Sequence, residues 1–167
     1  MKKLVLLDAD VIIDLHTFDL FDAITKGYEV YVARTVLQEA LYYPYRGRNQ
    51  RIDIKDKATI VDANDEAALV TVKREAREAL LGIDPGETES VAYLSVTDKD
   101  ILFCTCDSSA IRLVSYMGLE QRTISMERAL KGIGKSTKSL RFKHGEKYFQ
   151  ENIQTGKVLR IQYKKLL

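Results

Sequence analysis

Short, continuously apolar runs recur along the chain, separated by longer stretches with helical periodicity. A strand buried on both faces needs the first pattern, and an amphipathic helix the second. Residues 3–7 form the first apolar run. From Val11 to Ile24 the apolar positions Ile12, Leu15, Phe18, Phe21 and Ile24 recur every three residues, which predicts one helix stopped by Gly27. Tyr28–Ala33 reads as a second strand. Thr35-Val36-Leu37-Gln38 reads as a capping box that opens a helix reaching about Tyr43, before Pro44. The polar, basic stretch 45–57 is a loop or a short helix, and 59–63 a short strand. Glu66 to Leu81 favours helix by composition. Asp84-Pro85-Gly86-Glu87 is a helix start, with Asp as cap, Pro first and Glu third, and the helix runs to about Val96. Ile101–Thr105 is a strand. Asp107–Met117 is a helix with Ala110, Ile111, Val114 and Met117 on one face, ended by Gly118. Gln121–Ile124 is a last strand of the body, and Ser125 caps a short helix.

Strands alternating with helices at these spacings imply right-handed crossovers and a mainly parallel central sheet. The fold class expected is α/β, a three-layer α/β/α sandwich. The segment after Gly134 is different in kind. Glu146–Gln154 suits a short helix. In 157–164, Leu159, Ile161 and Tyr163 alternate with polar residues, which predicts a half-exposed strand.

At 167 residues with 46% hydrophobic positions, the chain is sized for one domain with a real core. No apolar run has membrane-spanning length. The apolar run after Met1-Lys2-Lys3 meets Asp8 too soon for a signal peptide, so the expectation is a cytoplasmic protein. Cys104 and Cys106 are too small a set for a zinc site and read as buried structural thiols. The net charge of +2 conceals an asymmetry. Residues 1–130 hold 16 Lys+Arg against 22 Asp+Glu, while residues 131–167 hold 10 against 2. The chain therefore divides into a body, 1–130, and a short basic C-terminal extension, 131–167. Such an extension meets an anionic partner, docks on the acidic body, or is merely solvated.

Acidic residues gather where strands give way to helices. Asp8 and Asp10 follow the first strand, Glu39 sits in the helix after the second, Glu87 and Glu89 open a helix, and Asp107 follows a later strand. Each has a plain structural reading: Asp8 or Asp107 as a helix cap, Glu39 beside a helix dipole, Glu87 as part of a capping box. Only one of Asp8 and Asp10 can cap the same helix, and Glu89 has no capping role. In an open parallel sheet, ligands bind beyond the carboxyl ends of the strands. Carboxylates gathered there repel unless a cation lies between them, and Mg²⁺ or Mn²⁺ suits an all-oxygen set. There is no phosphate-binding glycine loop, GxSxG or HExxH. His16 reads as a packed or surface residue.

Leu4-Val5-Leu6-Leu7-Asp8-Ala9-Asp10-Val11-Ile12-Ile13 resembles the opening of PIN-domain nucleases, where an apolar strand ends in Asp-x-Asn/Ser/Asp. Thr35-Val36-Leu37-Gln38-Glu39 looks like their second acidic element. Gly86-Glu87-Thr88-Glu89-Ser90-Val91-Ala92 is similar to the Gly-Glu-x-Glu-Ala-Ile-Ala segment of one PIN branch. Phe103-Cys104-Thr105-Cys106-Asp107 looks like the strand-Thr-x-Asp element. The resemblance covers residues 4–125 and leaves out the extension. It implies a PIN-like sandwich and a Mg²⁺- or Mn²⁺-dependent endoribonuclease. The catalytic acids would be Asp8, Glu39, Glu89 and Asp107, with Asp10 also at the metal and Glu87 the alternative to Glu89. Thr105 would support the site or meet substrate.

The implied substrate is RNA. Arg46, Arg48, Arg51 and the basic extension are the candidates to hold it, and Tyr42, Tyr43 and Tyr45 either stack bases or pack. Family analogy also implies a homodimer and, for toxin-type (VapC-like) members, a small antitoxin-like protein partner. No membrane association is expected. Two other functions fit parts of the pattern. One is a non-catalytic nucleic-acid or protein binding module on the same fold. The other is a phosphatase of the haloacid dehalogenase type, with Asp8 and Asp10 as nucleophile and acid and Thr35 as its hydroxyl residue.

Overall fold

A computed structural model describes residues 1–164, and the last three residues of the basic extension lie outside the described residues. Its elements are β1 (Lys3–Leu7), α1 (Ala9–Thr17), α2 (Phe21–Gly27), β2 (Tyr28–Ala33), α3 (Arg34–Glu39), β3 (Tyr42–Tyr45), β4 (Arg48–Arg51) and β5 (Thr59–Val61). There follow α4 (Glu66–Glu78), α5 (Pro85–Val96), β6 (Ile101–Cys104), α6 (Ser108–Tyr116), β7 (Thr123–Ile124), α7 (Met126–Lys131) and α8 (Glu146–Lys164). Five strands form one sheet in the order β5-β2-β1-β6-β7, and every pairing is parallel.

β1 is central because it is apolar on both faces. Val5 and Leu7 enter one core with Val11, Ile12, Leu15, Ile24, Val30 and Leu130. Leu6 points the other way, into a core with Val72, Val91, Leu94, Phe103 and Leu113. Helices therefore cover both faces of the sheet, which gives the three layers. Each fully buried Leu, Ile or Val contributes about 1.5–3 kcal/mol. The chain leaves β1 toward β2 on one side and reaches β6 on the other. The carboxyl ends of β1 and β6 thus flank the point where strand order reverses, the place such sheets offer a ligand.

Four expectations need correction. The helix expected over Val11–Ile24 is two helices, broken at Phe18–Leu20, with Asp19 in the left-handed region at φ 57°. A step of three residues turns a helix by 300°, so positions 12 to 24 drift around a straight helix. The break restores Phe21 and Ile24 to the core. The helix after β2 starts at Arg34, without a side-chain cap from the preceding residue, and ends at Glu39. The stretch after Pro44 belongs to a hairpin, β3–β4, closed by Arg46 and Gly47 at φ 48° and 74°. Both central residues at positive φ make the tight turn that matches strand twist.

The strand expected over 157–164 is part of α8. Its buried positions Phe149, Asn152, Ile153 and Gly156 have helical spacing and pack on α6. A Cβ at Gly156 would overlap the Arg112 carbonyl and Ser115, so glycine lets the two helices touch. The extension is docked on the body, with Lys157 and Arg160 facing Glu120 and Lys164 2.7 Å from Glu75.

Candidate active site

The carboxyl end of β1 is tied to β6 at the residue where each strand stops. Leu7 pairs with Cys104, and the Asp8 amide donates to the Cys104 carbonyl at 3.1 Å. Asp8 caps α1, its Oδ1 accepting from the Ala9 amide at 2.8 Å. Its Oδ2 accepts from the Thr105 hydroxyl at 2.8 Å. Thr105 is buried and bound to Asp8, so its place is that of a support. Burial pushes the Asp8 carboxyl from an ordinary 3.8 up to about 7, against the Thr105 and Ala9 hydrogen bonds, and the charges of Asp84 and Asp10 add to the rise. Asp107 caps α6 through the Ala110 amide at 3.0 Å, and its own amide donates to Thr105 at 3.2 Å. One threonine hydroxyl thus orients both aspartates.

The start of α5 brings the next acids. Asp84 accepts from the Glu87 amide at 2.8 Å, and Glu87 accepts from the Asp84 amide at 3.0 Å, the reciprocal box read from the sequence. Glu87 is only 5% exposed. Burial first, then the charges of Asp8, Asp107 and Asp84, push its carboxyl from 4.5 up to about 9. Glu39, at the end of α3, reaches across so that its Oε1 accepts from the Gly86 amide at 3.1 Å. A Cβ at Gly86 would overlap the Glu39 carboxylate and press on Val36, so a larger residue here would push the Glu39 side chain aside. Glu39 is also raised, by burial and then by Asp84, with Asp10 and Glu89 adding to it. Asp10 is exposed, in the first turn of α1.

Glu89 stands elsewhere. It lies two residues beyond Glu87, about 200° around the helix. Its Oε2 accepts from the Thr35 amide at 2.9 Å and its Oε1 from the Ala63 amide at 3.4 Å. Glu89 therefore supplies the cap that α3 lacks, across 54 positions of sequence. It lines a separate groove of about 760 Å³ with Arg34, Thr35 and Gln38. The acids that share one field are Asp8, Asp10, Glu39, Asp84, Glu87 and Asp107, and Glu89 touches it only through its charge on Glu39. Asp84 belongs to this set as well, which the sequence does not reveal. Its capping signature was plain, but that signature gave no sign that it also faces Asp8.

None of these six carboxylates makes an ion pair among the described residues. Three helix N-termini, those of α1, α5 and α6, supply only partial positive charge. No group of three His, Cys, Asp or Glu side chains among the described residues is already gathered around one point for a metal ion. The donor set is nonetheless all oxygen, with two buried carboxyls pushed toward neutrality first by burial and then by the charges of their acidic neighbours. An all-oxygen set is the kind a hard divalent ion takes, and Asp8, Glu87 and Asp107 are the residues that would hold one.

Arg46, Arg48 and Arg51 are exposed on the hairpin, which begins three residues beyond Glu39 and packs on α1. Arg46 lies over the Tyr45 ring at 5.2 Å, while Tyr43 packs against His16. Cys104 and Cys106 are buried free thiols, both pushed up by burial, Cys106 to about 12. Among the described residues no helix is long and apolar enough to cross a membrane. No protein-family model matches this chain, and no curated protein matches it.

Proposed function

We propose that this protein is a divalent-metal-dependent endoribonuclease of the PIN type. The observation that carries the reading is the cluster of six carboxylates, without ion pairs among the described residues, at the switch point of a parallel sheet. The order of apolar strands and acids supports it.

In this reading Asp8, Glu87 and Asp107 hold the ion, and Asp10 stands at its exposed edge. Bound Mg²⁺ or Mn²⁺ supplies Lewis-acid polarisation of water and of phosphoryl oxygens. Thr105 fixes the Asp8 carboxylate by donating to Oδ2. Glu39 is held through Oε1 by the Gly86 amide, which leaves Oε2 to accept a proton from the attacking water. The Gly86 contact fixes where that proton goes. Glu89 acts through α3, whose first turn it caps and whose last residue is Glu39. Arg46, Arg48 and Arg51 offset the acidic field for an approaching phosphodiester chain. A homodimer and a small antitoxin-like partner belong to this reading by family analogy.

The test is cleavage of end-labelled RNAs and DNAs with Mg²⁺, Mn²⁺ or EDTA, using wild type, Asp8→Asn and Asp107→Asn. Metal-dependent RNA cleavage that falls at least 100-fold in both variants supports the reading. Cleavage that persists in Asp8→Asn, or in EDTA, overturns it. A covalent aspartyl-phosphate trapped on Asp8 would favour the phosphatase. Metal-independent RNA binding without any cleavage would favour the binding module.

A further inference from the structure

We infer that the turn Arg141–His144, in the basic extension, is a docking point for single-stranded RNA at the rim of the acidic cluster. Phe142 stacks a base, and Arg141 and Lys143 hold phosphates. The inference rests on the nuclease reading and deepens it, since it assigns the extension a part in the same site.

The turn is anchored from beneath. His144 is 1% exposed, and its Nδ1 accepts from the Arg141 amide at 2.9 Å. A nitrogen that accepts a backbone proton carries none of its own, so the ring proton is on Nε2. Nε2 donates to Asp14 Oδ2 at 2.7 Å, and the ring meets Phe18 edge-on at 5.5 Å. The extension is thereby bolted to α1. Asp14 lies four residues after Asp10, hence one turn along the same face. Lys143 Nζ is 2.9 Å from the same Asp14 oxygen. That places an ammonium about one helical turn from the acidic cluster, and the negative field of Asp10 reaches it.

The outer side of the turn is free. Phe142 is 64% exposed, with its ring set edge-on to Tyr148 at 5.6 Å. Arg141 is exposed and makes no ion pair among the described residues. Lys143 has three N–H donors, and Asp14 needs only one. By contrast Lys157, Arg160 and Lys164 of the same extension face Glu120 and Glu75. A cation, an exposed ring and a second cation in sequence match what an unpaired strand offers, phosphates alternating with π faces. The hairpin, also packed on α1, repeats the combination in Tyr45 and Arg46.

The test is fluorescence anisotropy of a labelled single-stranded 12-nucleotide RNA with the full chain in Ca²⁺, with RNA integrity checked on a gel afterwards. Phe142→Ala is expected to weaken binding about 5-fold or more, the value of one stacked base. Arg141→Ala with Lys143→Ala is expected to weaken it about 10-fold and to lower the salt slope by about 0.7 per cation. Lys143→Arg keeps binding near wild type. In cleavage with Mg²⁺, KM rises in Phe142→Ala while kcat holds. Thermal unfolding checks that Lys143→Ala is folded, and Phe142→Ala removes an exposed ring that folding does not need. Binding within twofold of wild type in both variants overturns the inference. So does a blunt RNA duplex that binds as tightly as the single strand and ignores Phe142→Ala. A wild type that binds the single strand in Ca²⁺ but cleaves no RNA in Mg²⁺ or Mn²⁺ overturns the nuclease reading alone, and one that cleaves RNA yet binds no single strand overturns the inference alone.

Discussion

Replacing Glu87 by Gln should stabilise the metal-free protein and destabilise the metal-loaded one. The Glu87 carboxyl titrates at about 9 in the fold against an ordinary 4.5. At pH 7.5 the unfolded chain would have it ionised and the folded chain protonated. Holding that proton across about 3 pH units, at about 1.4 kcal/mol each, costs the fold about 4 kcal/mol. Gln is neutral in both states, and its carbonyl can still accept from the Asp84 amide. The full figure is a ceiling, since Asp84 is exposed and water and side-chain shifts relieve part of the strain. A gain of about 1–2 kcal/mol is expected, which raises Tm by about 3–6 °C in a domain of this size. The assay is urea unfolding at pH 7.5 in EDTA, repeated in Mn²⁺. In EDTA the variant should have the higher midpoint. In Mn²⁺ the order should reverse, because the wild type alone keeps all the ligands. A variant less stable than wild type in EDTA would mean Glu87 is ionised and already compensated, and the reasoning would fail.

The pH dependence of wild type follows from the same shifts. Asp8 and Glu87 have folded values raised above their unfolded ones, so their contribution is fully present below about pH 4 and is lost as pH rises toward about 7 and about 9. Unfolding midpoints in EDTA should fall from pH 5 to pH 9, and Mn²⁺ should flatten the fall; a rise with pH in EDTA refutes it. Gly86→Ala should displace Glu39 and lower kcat about 10-fold or more, with the circular dichroism spectrum unchanged. Gly156→Val should wedge α8 from α6 and cost about 2–4 kcal/mol by thermal unfolding, since the added atoms meet the Arg112 carbonyl.

Much of the sheet was legible because its strands are apolar on both faces and end at an acid. The places of Asp8 and Asp107, as helix caps just beyond β1 and β6, could be read from that junction alone. Glu87 shows why the capping reading and the site reading need not compete, since the same carboxylate closes the box and faces Asp8. The position of Glu89 was not legible, because its partners are backbone amides of Thr35 and Ala63, which only the folded sheet brings near. The extension misled for a related reason. Alternation at Leu159, Ile161 and Tyr163 is a local pattern, and the α6–α8 seam at Gly156 overrules it. Its cations looked available in the sequence, but several are matched to Glu120 and Glu75, whose need for partners appears only on docking.

The hydrogen bond from His144 to Asp14 joins residues 130 positions apart, and that from Thr105 to Asp8 spans 97. A chain emerging from the ribosome makes β1 and α1 first, with Asp8 and Asp14 exposed and alone. β1 waits for β6, and α1 for the turn at His144, before either is held. Contacts of such separation form late and slowly. If the proposed nuclease reading holds, a site built this way would stay unassembled on the ribosome, surrounded by RNA, until nearly all of the described chain has been made.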